Sequence, residues 1–212
     1  MKLLLALSRV IDAINERIGH AVYWLVLATV LISAANATVR KVFNYSSNSF
    51  LEIQWYLFSM IFLFCAGYTL KHNEHVRIDI ITARFSARVR AGIDIFGTLF
   101  FLLPMAMLIM WLSWPLFVDA YTRNEVSTNA GGLIIWPARL MVPVGFFLLI
   151  AQAVSELTKR IAFLQGLIPD PGEKIVTQTA QEALAEEILR TRGEQSLAAE
   201  IEGAAKNPGA QK

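Results

Sequence analysis

Long apolar runs separated by short polar segments make up most of this chain. Four of the runs are long enough to cross a bilayer, which takes roughly 17–25 residues in a helix that rises about 1.5 Å per residue. They lie near residues 20–39, 51–70, 94–118 and 133–155. Since a single segment can satisfy its backbone hydrogen bonds in lipid only as a helix, the pattern predicts an all-α integral membrane protein with four transmembrane helices.

Before the first run, apolar and charged positions recur together at helical spacing. The apolar positions are Leu4, Leu7, Ile11, Ile14 and Ile18, and the charged positions are Arg9, Asp12, Glu16 and Arg17. Such a two-sided pattern predicts an amphipathic helix over residues 1–19 that lies in the membrane interface, ahead of the first span. A helix that packs on a partner protein is the alternative.

The composition becomes polar again after Ile168. The sequence PDPG at 169–172 ends the apolar part, because proline and glycine both interrupt helices. The chain therefore divides into the interfacial helix at 1–19, a four-span membrane domain at 20–168 and a polar cytoplasmic tail at 169–212, which we expect to be partly disordered.

Composition and charge agree with a membrane protein. Of the 212 residues, 55% are hydrophobic and 17% are charged, whereas soluble domains carry about 25% charged residues. Basic residues near the spans fall mainly on one predicted side, at Lys2, Arg9, Arg17, Lys71, Arg77, Arg84, Arg88, Arg90, Lys159 and Arg160. The other side has only Arg40, Lys41 and Arg123. Because cytoplasmic segments are enriched in lysine and arginine, both termini are predicted to lie in the cytoplasm.

Few residues have the arrangement that catalysis or cofactor binding requires. His72 and His75 lie near Glu74 in a charged loop, but a third clear metal ligand is missing, so we interpret them as solvated loop residues. No histidine lies in the middle of a span, and the chain has no phosphate-binding or dinucleotide-binding motif. We therefore expect no catalytic residue, metal or cofactor. A complete transport pathway is not expected either, because the spans show no internal repeat.

Polar residues at the ends of the spans are more informative. Glu52 and Arg139 fall near the same membrane face, because spans two and four run in the same direction. An ion pair between them would offset part of the cost of each charge in lipid; extension of each side chain to the interface is the alternative. Gln54 and Trp55 are candidates for hydrogen bonds across helices or for positions at the headgroup level.

Four motifs connect these residues to a known family. Span two contains EIQWY at 52–56 and AGY at 66–68, and the loop after it reads HVRIDI at 75–80. The segment before span four reads EVSTNAGG at 125–132 and then WP at 136–137, and span four contains VPVGF at 142–146. In this order, over roughly residues 5–165, the chain resembles the small permease subunit (DctQ-like family) of tripartite ATP-independent periplasmic (TRAP) transporters.

The resemblance implies a non-catalytic scaffold subunit in a bacterial inner membrane. Its implied partners are a large permease subunit, which carries the substrate and sodium sites, and a periplasmic solute-binding protein that delivers an organic acid. Sodium coupling is therefore expected in the partner subunit, and no cofactor is expected in this chain.

Residue roles follow from the same resemblance. Arg77 and Asp79 match the family signature and are expected to fix the cytoplasmic loop or to cap the next helix. The candidate contacts with the periplasmic binding protein are Arg40, Lys41 and Arg123. The candidate subunit-interface or structural residues are Glu52, Gln54, Trp55, Arg77, Asp79 and Arg139.

Two other classes of function stay open at this point. A membrane-anchor subunit of a redox enzyme complex also has several spans, but it would need haem-ligating histidines within them. A structural or signalling membrane protein without a transport role would have a similar composition. Loss of solute uptake on deletion would separate a transporter subunit from this last class.

Overall fold

The computed structural model describes residues 2–44, 47–72, 85–169, 188–189 and 192. The described helices are α1 (Lys2–Phe43), α2 (Asn48–His72), α3 (Ala87–Gly97), α4 (Leu103–Thr122) and α5 (Trp136–Leu164). A π-helical turn, Thr98–Leu102, joins α3 to α4 without a break. All of them belong to one compact unit, Met1–Pro171, and residues Gly172–Lys212 form a second unit. Most of the predicted tail lies outside the described residues, so its boundary at residue 169 stays a prediction.

In the described part of the chain, four helical segments are long and apolar enough to cross a membrane. They are Leu3–Phe43, Asn48–His72, Ala87–Thr122 and Trp136–Leu164. The only extended pairing within the described ranges is one isolated bridge between Val126 and Ile134. The prediction of an all-α fold with four helices that can span a membrane is therefore confirmed.

The predicted amphipathic interfacial helix over residues 1–19 is not supported. These residues are the first half of α1, one continuous and largely apolar helix of 42 residues. Only part of the polar side faces inward: Ser8 and Asn15 are buried, whereas Arg9 and Arg17 are exposed, and Leu7 and Ile14 are about half exposed. Polar groups of α5 meet the buried residues, so this part of the pattern serves helix packing.

α5 is the central helix of the bundle. It contacts α1, α2, α3 and α4, and 39% of its most apolar window is buried, compared with 11% in each of the other three spans. Leu70, Leu103 and Ala153 form a small core, against which Leu149 and Leu157 pack. Many large apolar side chains of the other helices face outward, which suits helices that are surrounded by lipid tails.

Two glycines let α2 approach its neighbours closely. Gly145 of α5 faces Leu63 of α2, and a Cβ atom on Gly145 would lie 2.7 Å from the Leu63 Cβ and 3.1 Å from its carbonyl oxygen. Gly67 of α2 faces Asn15 of α1, and a Cβ atom there would lie 2.4 Å from Asn15 Oδ1. Such small residues matter because close packing is a main source of helix association in lipid.

Gly145→Ala is expected to destabilise the folded protein by about 1–3 kcal/mol, because the new methyl group would overlap a backbone that cannot move aside. Thermal unfolding of the purified protein in a mild detergent measures the effect. Gly92→Ala in α3 is the matched control, since nothing lies within 4 Å of its Cβ position and alanine favours helix over glycine. Equal midpoints for Gly145→Ala and the wild type would contradict the close crossing.

Candidate functional site

One loop binds the carboxylate of Glu52, in the second turn of α2, with three donors. The Ser127 hydroxyl donates to Glu52 Oε1, Asn129 Nδ2 donates to the same oxygen at 2.9 Å, and the Leu133 N–H donates to Oε2 at 2.6 Å. The Glu52 residue is 9% exposed. These donors replace the water that a buried carboxylate loses, so the charge is accommodated at the end of the span. We call these four groups the Glu52 clamp.

The backbone of the loop between α4 and α5 places these donors. Its two arms pair antiparallel, and the Ser127 N–H donates to the Leu133 carbonyl at 2.9 Å. Gly131 turns the chain with a φ of 72°, which glycine adopts without strain. Gly132 leaves no room for a side chain, because a Cβ atom there would lie 2.5 Å from the Ser127 Cβ. The turn therefore requires both glycines.

Further side chains of α2 hold the same loop through its carbonyl groups. The donors are Asn48 to Ala130 at 3.1 Å, Ser49 to Gly131, and Tyr56 to Ile134 at 3.0 Å. Asn48, Glu52 and Tyr56 recur every four residues and so lie on one side of α2, and Ser49 is three residues before Glu52 on the same side. The motifs EIQWY and EVSTNAGG, which are distant in sequence, thus form one structural unit.

Arg139 pairs with Glu125 and not with Glu52. Its Nη1 and Nη2 atoms donate to the two Glu125 carboxylate oxygens at 2.7 and 2.9 Å, and Nη1 also donates to the Leu116 carbonyl at 3.3 Å. The predicted Glu52–Arg139 pair is therefore wrong. Span spacing indicates that both residues lie at one membrane face, but the folded loop supplies each of them with another partner.

Gln54 points away from the Glu52 clamp, about 160° around α2 from Glu52, whereas Trp55 lies about 60° from Glu52. Trp55 is 74% exposed, and it shares one side of α2 with Phe58 and Phe62, which are 66% and 71% exposed. We call these three residues the aromatic ridge. Gln54 is half-buried, and its Nε2 atom has no hydrogen-bond partner among the described residues. Their assignment to a subunit interface stays a prediction.

The other predicted residues fall in two groups. Arg40 and Lys41 are exposed in the last turn of α1, and Arg123 pairs with Asp119 at 2.7 Å on the surface. Their contact with a binding protein stays a prediction. Arg77 and Asp79 lie outside the described residues, as do His75 and Glu74.

A second set of polar contacts joins α1 to α5 at the opposite end of the bundle. The Asp12 carboxylate accepts hydrogen bonds from Gln152 Nε2 and Ser155 Oγ, each at 2.8 Å, and from Lys159 Nζ at 3.0 Å. Asn15 Nδ2 donates to Gln152 Oε1 at 2.9 Å, and Gln152 is fully buried. We call the whole set the α1–α5 network; its members are Ser8, Asp12, Asn15, Gln152, Ser155, Glu156 and Lys159.

Ion pairs at the same end connect two more helices. Glu16 of α1 binds Lys71 Nζ at 2.6 Å and His72 Nε2 at 2.9 Å, both in the last turn of α2. Arg160 of α5 binds Asp94 of α3. α2 and α3 are thereby joined to the two helices of the α1–α5 network.

The α1–α5 network is not among the predictions from the sequence, although a signal is present. Those predictions place Asp12 and Glu16 on the polar side of an interfacial helix and give Lys159 no role besides topology. Polar residues recur at 8, 12 and 15 in α1 and at 152, 155 and 159 in α5, and this spacing places them on one side of each helix. Two polar stripes in otherwise apolar helices are expected to face each other, because unpaired polar groups are costly in lipid.

These arrangements are suited to holding helices together. The carboxylates of Asp12, Glu16, Glu52 and Glu125 all accept hydrogen bonds from protein donors. In the part of the chain that the structure describes, no group of three His, Cys, Asp or Glu residues could hold a metal ion. The contacts fix the helix ends and one loop.

Glu52→Gln is expected to loosen the loop and to cost about 1–3 kcal/mol of stability, because the amide would oppose one of the clamp's donors with another donor. Hydrogen–deuterium exchange of the peptide that contains the Leu133 amide, together with thermal unfolding, measures both effects. Asp119→Asn is the control, since it removes an equal charge from an exposed pair that contributes about 0–1 kcal/mol. Unchanged exchange in Glu52→Gln would contradict the clamp.

The comparison with known proteins agrees with the motifs. The family described as "Tripartite ATP-independent periplasmic transporters, DctQ component" matches residues 29–163. The match runs from the middle of α1 to the last turn of α5 and includes the whole Glu52 clamp. No curated protein and no solved structure matches the chain. Because the matched segment covers well over half of the 212 residues, the chain belongs to the DctQ family, the small permease component of TRAP transporters.

Proposed function

We propose that this protein is the fixed scaffold subunit of a TRAP transporter that imports an organic acid with the sodium gradient. In this role it lies beside a large permease subunit, and a periplasmic solute-binding protein delivers the substrate. Membership in the DctQ family supports the proposal. The structural observation that carries it is that the carboxylates of Glu52 and Asp12, towards the two ends of the bundle, are used in contacts with one loop and with a facing helix.

The middle of the bundle also favours a scaffold. Between the Glu52 clamp and the α1–α5 network, α2 and α5 meet at the tight contact of Leu63 with Gly145. Secondary transporters usually hold substrate and coupling ions near the midplane, where broken helices supply charged ends and free carbonyl groups. α1, α2 and α5 are continuous helices. We therefore assign the substrate and sodium sites to the large subunit, and neither catalysis nor a cofactor to this chain.

We place the protein in the bacterial inner membrane with both termini in the cytoplasm. Lys71 and Lys159 lie at the end of the bundle that holds the α1–α5 network, and Arg40, Lys41 and Arg123 lie at the end that holds the Glu52 clamp. The excess of basic residues in the cytoplasm supports this orientation. The exposed Arg40 and Lys41 then face the periplasm, where an acidic patch of the binding protein is their candidate partner, with Arg123 as a third contact.

We assign the aromatic ridge to the contact with the large subunit. Its three side chains project from the helix that the Glu52 clamp holds in place. Aromatic residues on a rigid element are the typical anchors of protein interfaces, because they contribute a large contact area at a small cost in conformational entropy.

Trp55→Ala is expected to reduce co-purification of the large permease subunit about tenfold or more, because an anchoring tryptophan contributes about 2 kcal/mol or more to an interface. Pull-down of the tagged full-length chain from solubilised native membranes, with quantitative mass spectrometry, measures the loss. Trp111→Ala is the matched control, since Trp111 is 76% exposed on α4. Equal recovery with both variants would contradict the assignment of the ridge, whereas a wild-type chain that captures no large membrane protein would contradict the scaffold role.

Deletion of this chain is expected to abolish sodium-dependent uptake of an organic acid while the other components are still produced. A panel of radiolabelled organic acids, tested in cells with and without a sodium gradient, measures uptake, and re-expression of the wild-type chain is the control. Uptake that survives the deletion would favour a structural membrane protein over a transporter subunit.

The positions of the histidines disfavour a redox-anchor role. Two of the three lie in the described residues: His20 Nδ1 is 2.7 Å from the Glu16 carbonyl oxygen, and His72 Nε2 is 2.9 Å from the Glu16 carboxylate. Both lie at one end of the bundle. Haem held by two histidines requires rings that face each other from within the spans, so the transporter role is the better supported of the two.

A further inference from the structure

One stretch of α1 carries polar groups that no described residue binds. A groove of about 650 Å³ follows the last three turns of α1 and is lined by Ser33, Asn36, Ala37, Arg40, Lys41 and Asn44. Within the described residues, the side chains of Ser33 and Asn36 have no hydrogen-bond partner, and Arg40 and Lys41 have no ion pair. This distinguishes them from the polar residues in the first half of α1, which are bonded to α2 and α5.

The groove lies on the side of α1 that packs inward in its first half. Asn15 and Val22 on this side are 1% and 2% exposed. Counting 100° per residue from Asn15, Ser33 and Arg40 lie within about 20° of its direction and Asn36 about 60° from it, whereas Lys41 lies about 80° to the other side. The inward side thus continues along α1, but every residue that lines the groove belongs to α1 or directly follows it. The polar stripe is left for another molecule.

The order of chemical groups along the groove matches one class of ligand. Arg40 and Lys41 lie near the end of the span, and the amide of Asn36 and the hydroxyl of Ser33 lie about 6 and 10 Å deeper at 1.5 Å per residue. Deeper still, the exposed residue Val30 is apolar. A phospholipid presents a phosphate, then ester carbonyl groups, then acyl chains in the same order. The phosphate oxygens and the ester carbonyl oxygens both accept hydrogen bonds.

We propose that, while no binding protein is docked at Arg40 and Lys41, this groove binds the headgroup of an anionic phospholipid. The guanidinium of Arg40 and the ammonium of Lys41 bind the phosphate, and Asn36 and Ser33 donate to the ester carbonyl groups. Two cations without a described counter-ion favour a headgroup with a net negative charge over a zwitterionic one. The bound lipid would fill the space beside α1 that the other helices leave open.

Lipid occupancy of the purified full-length chain tests the proposal. The protein is titrated in detergent with dioleoylphosphatidylglycerol or with dioleoylphosphatidylcholine, and native mass spectrometry counts the bound lipids. The wild-type chain is expected to bind one phosphatidylglycerol more tightly than phosphatidylcholine. The double variant Arg40→Gln/Lys41→Gln is expected to bind phosphatidylglycerol about 25-fold more weakly, at about 1 kcal/mol for each cation.

Two further variants separate the specific site from general charge. Arg123→Gln removes a cation from the same end of the bundle, but one that is already paired with Asp119, and it should leave the affinity unchanged. Asn36→Leu keeps a similar side-chain volume and leaves both cations in place. It is expected to weaken the binding of both lipids several-fold. Thermal unfolding midpoints equal to the wild type would show that the variants are folded.

Four results would overturn the proposal. They are unchanged phosphatidylglycerol binding in the double variant, an equal loss in Arg123→Gln, and competition by soluble glycerol phosphate at the concentration of the lipid, which would indicate a site for a soluble anion. The fourth is a double variant that binds lipid as the wild type does but no longer captures the large subunit, which would assign the groove to a partner helix. Because lipid binding is measured on this chain alone, the result is independent of whether the scaffold role holds.

Discussion

Asp12 makes the contacts on which the packing of the bundle most depends. Lipid tails are as apolar as leucine, so the burial of apolar side chains gives α1 little reason to leave lipid and join α5. The Asp12 carboxylate supplies that reason, because it accepts hydrogen bonds from Gln152, Ser155 and Lys159. Separation of the two helices would leave the Asp12 carboxylate without these donors. On the same side of α1, Asn15 lies against Gly67 of α2.

The Glu52 clamp solves the same physical problem at the other end by a different route. Its donors come from a folded loop and not from a facing helix, so its geometry depends on the turn that Gly131 and Gly132 allow. Between the two ends, backbones in close contact replace polar bonds. A bundle that is bonded at both ends and closely packed in the middle resists deformation, which is the property that the proposed scaffold role requires.

How much was predictable from the sequence depended on how local each property is. The span positions followed from the apolar runs, and the family resemblance followed from the order of the motifs. The first agrees with the structure and the second with the family match. The importance of Glu52 was also apparent, but its partners were not, because Ser127 and Leu133 lie 75 and 81 positions away. The two stripes of the α1–α5 network were visible as spacings, yet neither one indicates by itself which helix it faces.

The sequence by itself determined an all-α membrane protein with four spans and its membership in the DctQ family, because helix length, apolar runs and motif order are properties of the chain alone. Only the tertiary structure decided what each polar side of a helix meets. The polar side of residues 1–19 could face water, a partner or another span, and the structure turned it toward α5. Spacing sets the direction of a side chain around its own helix, whereas its partner is set by packing and by the path of the loops.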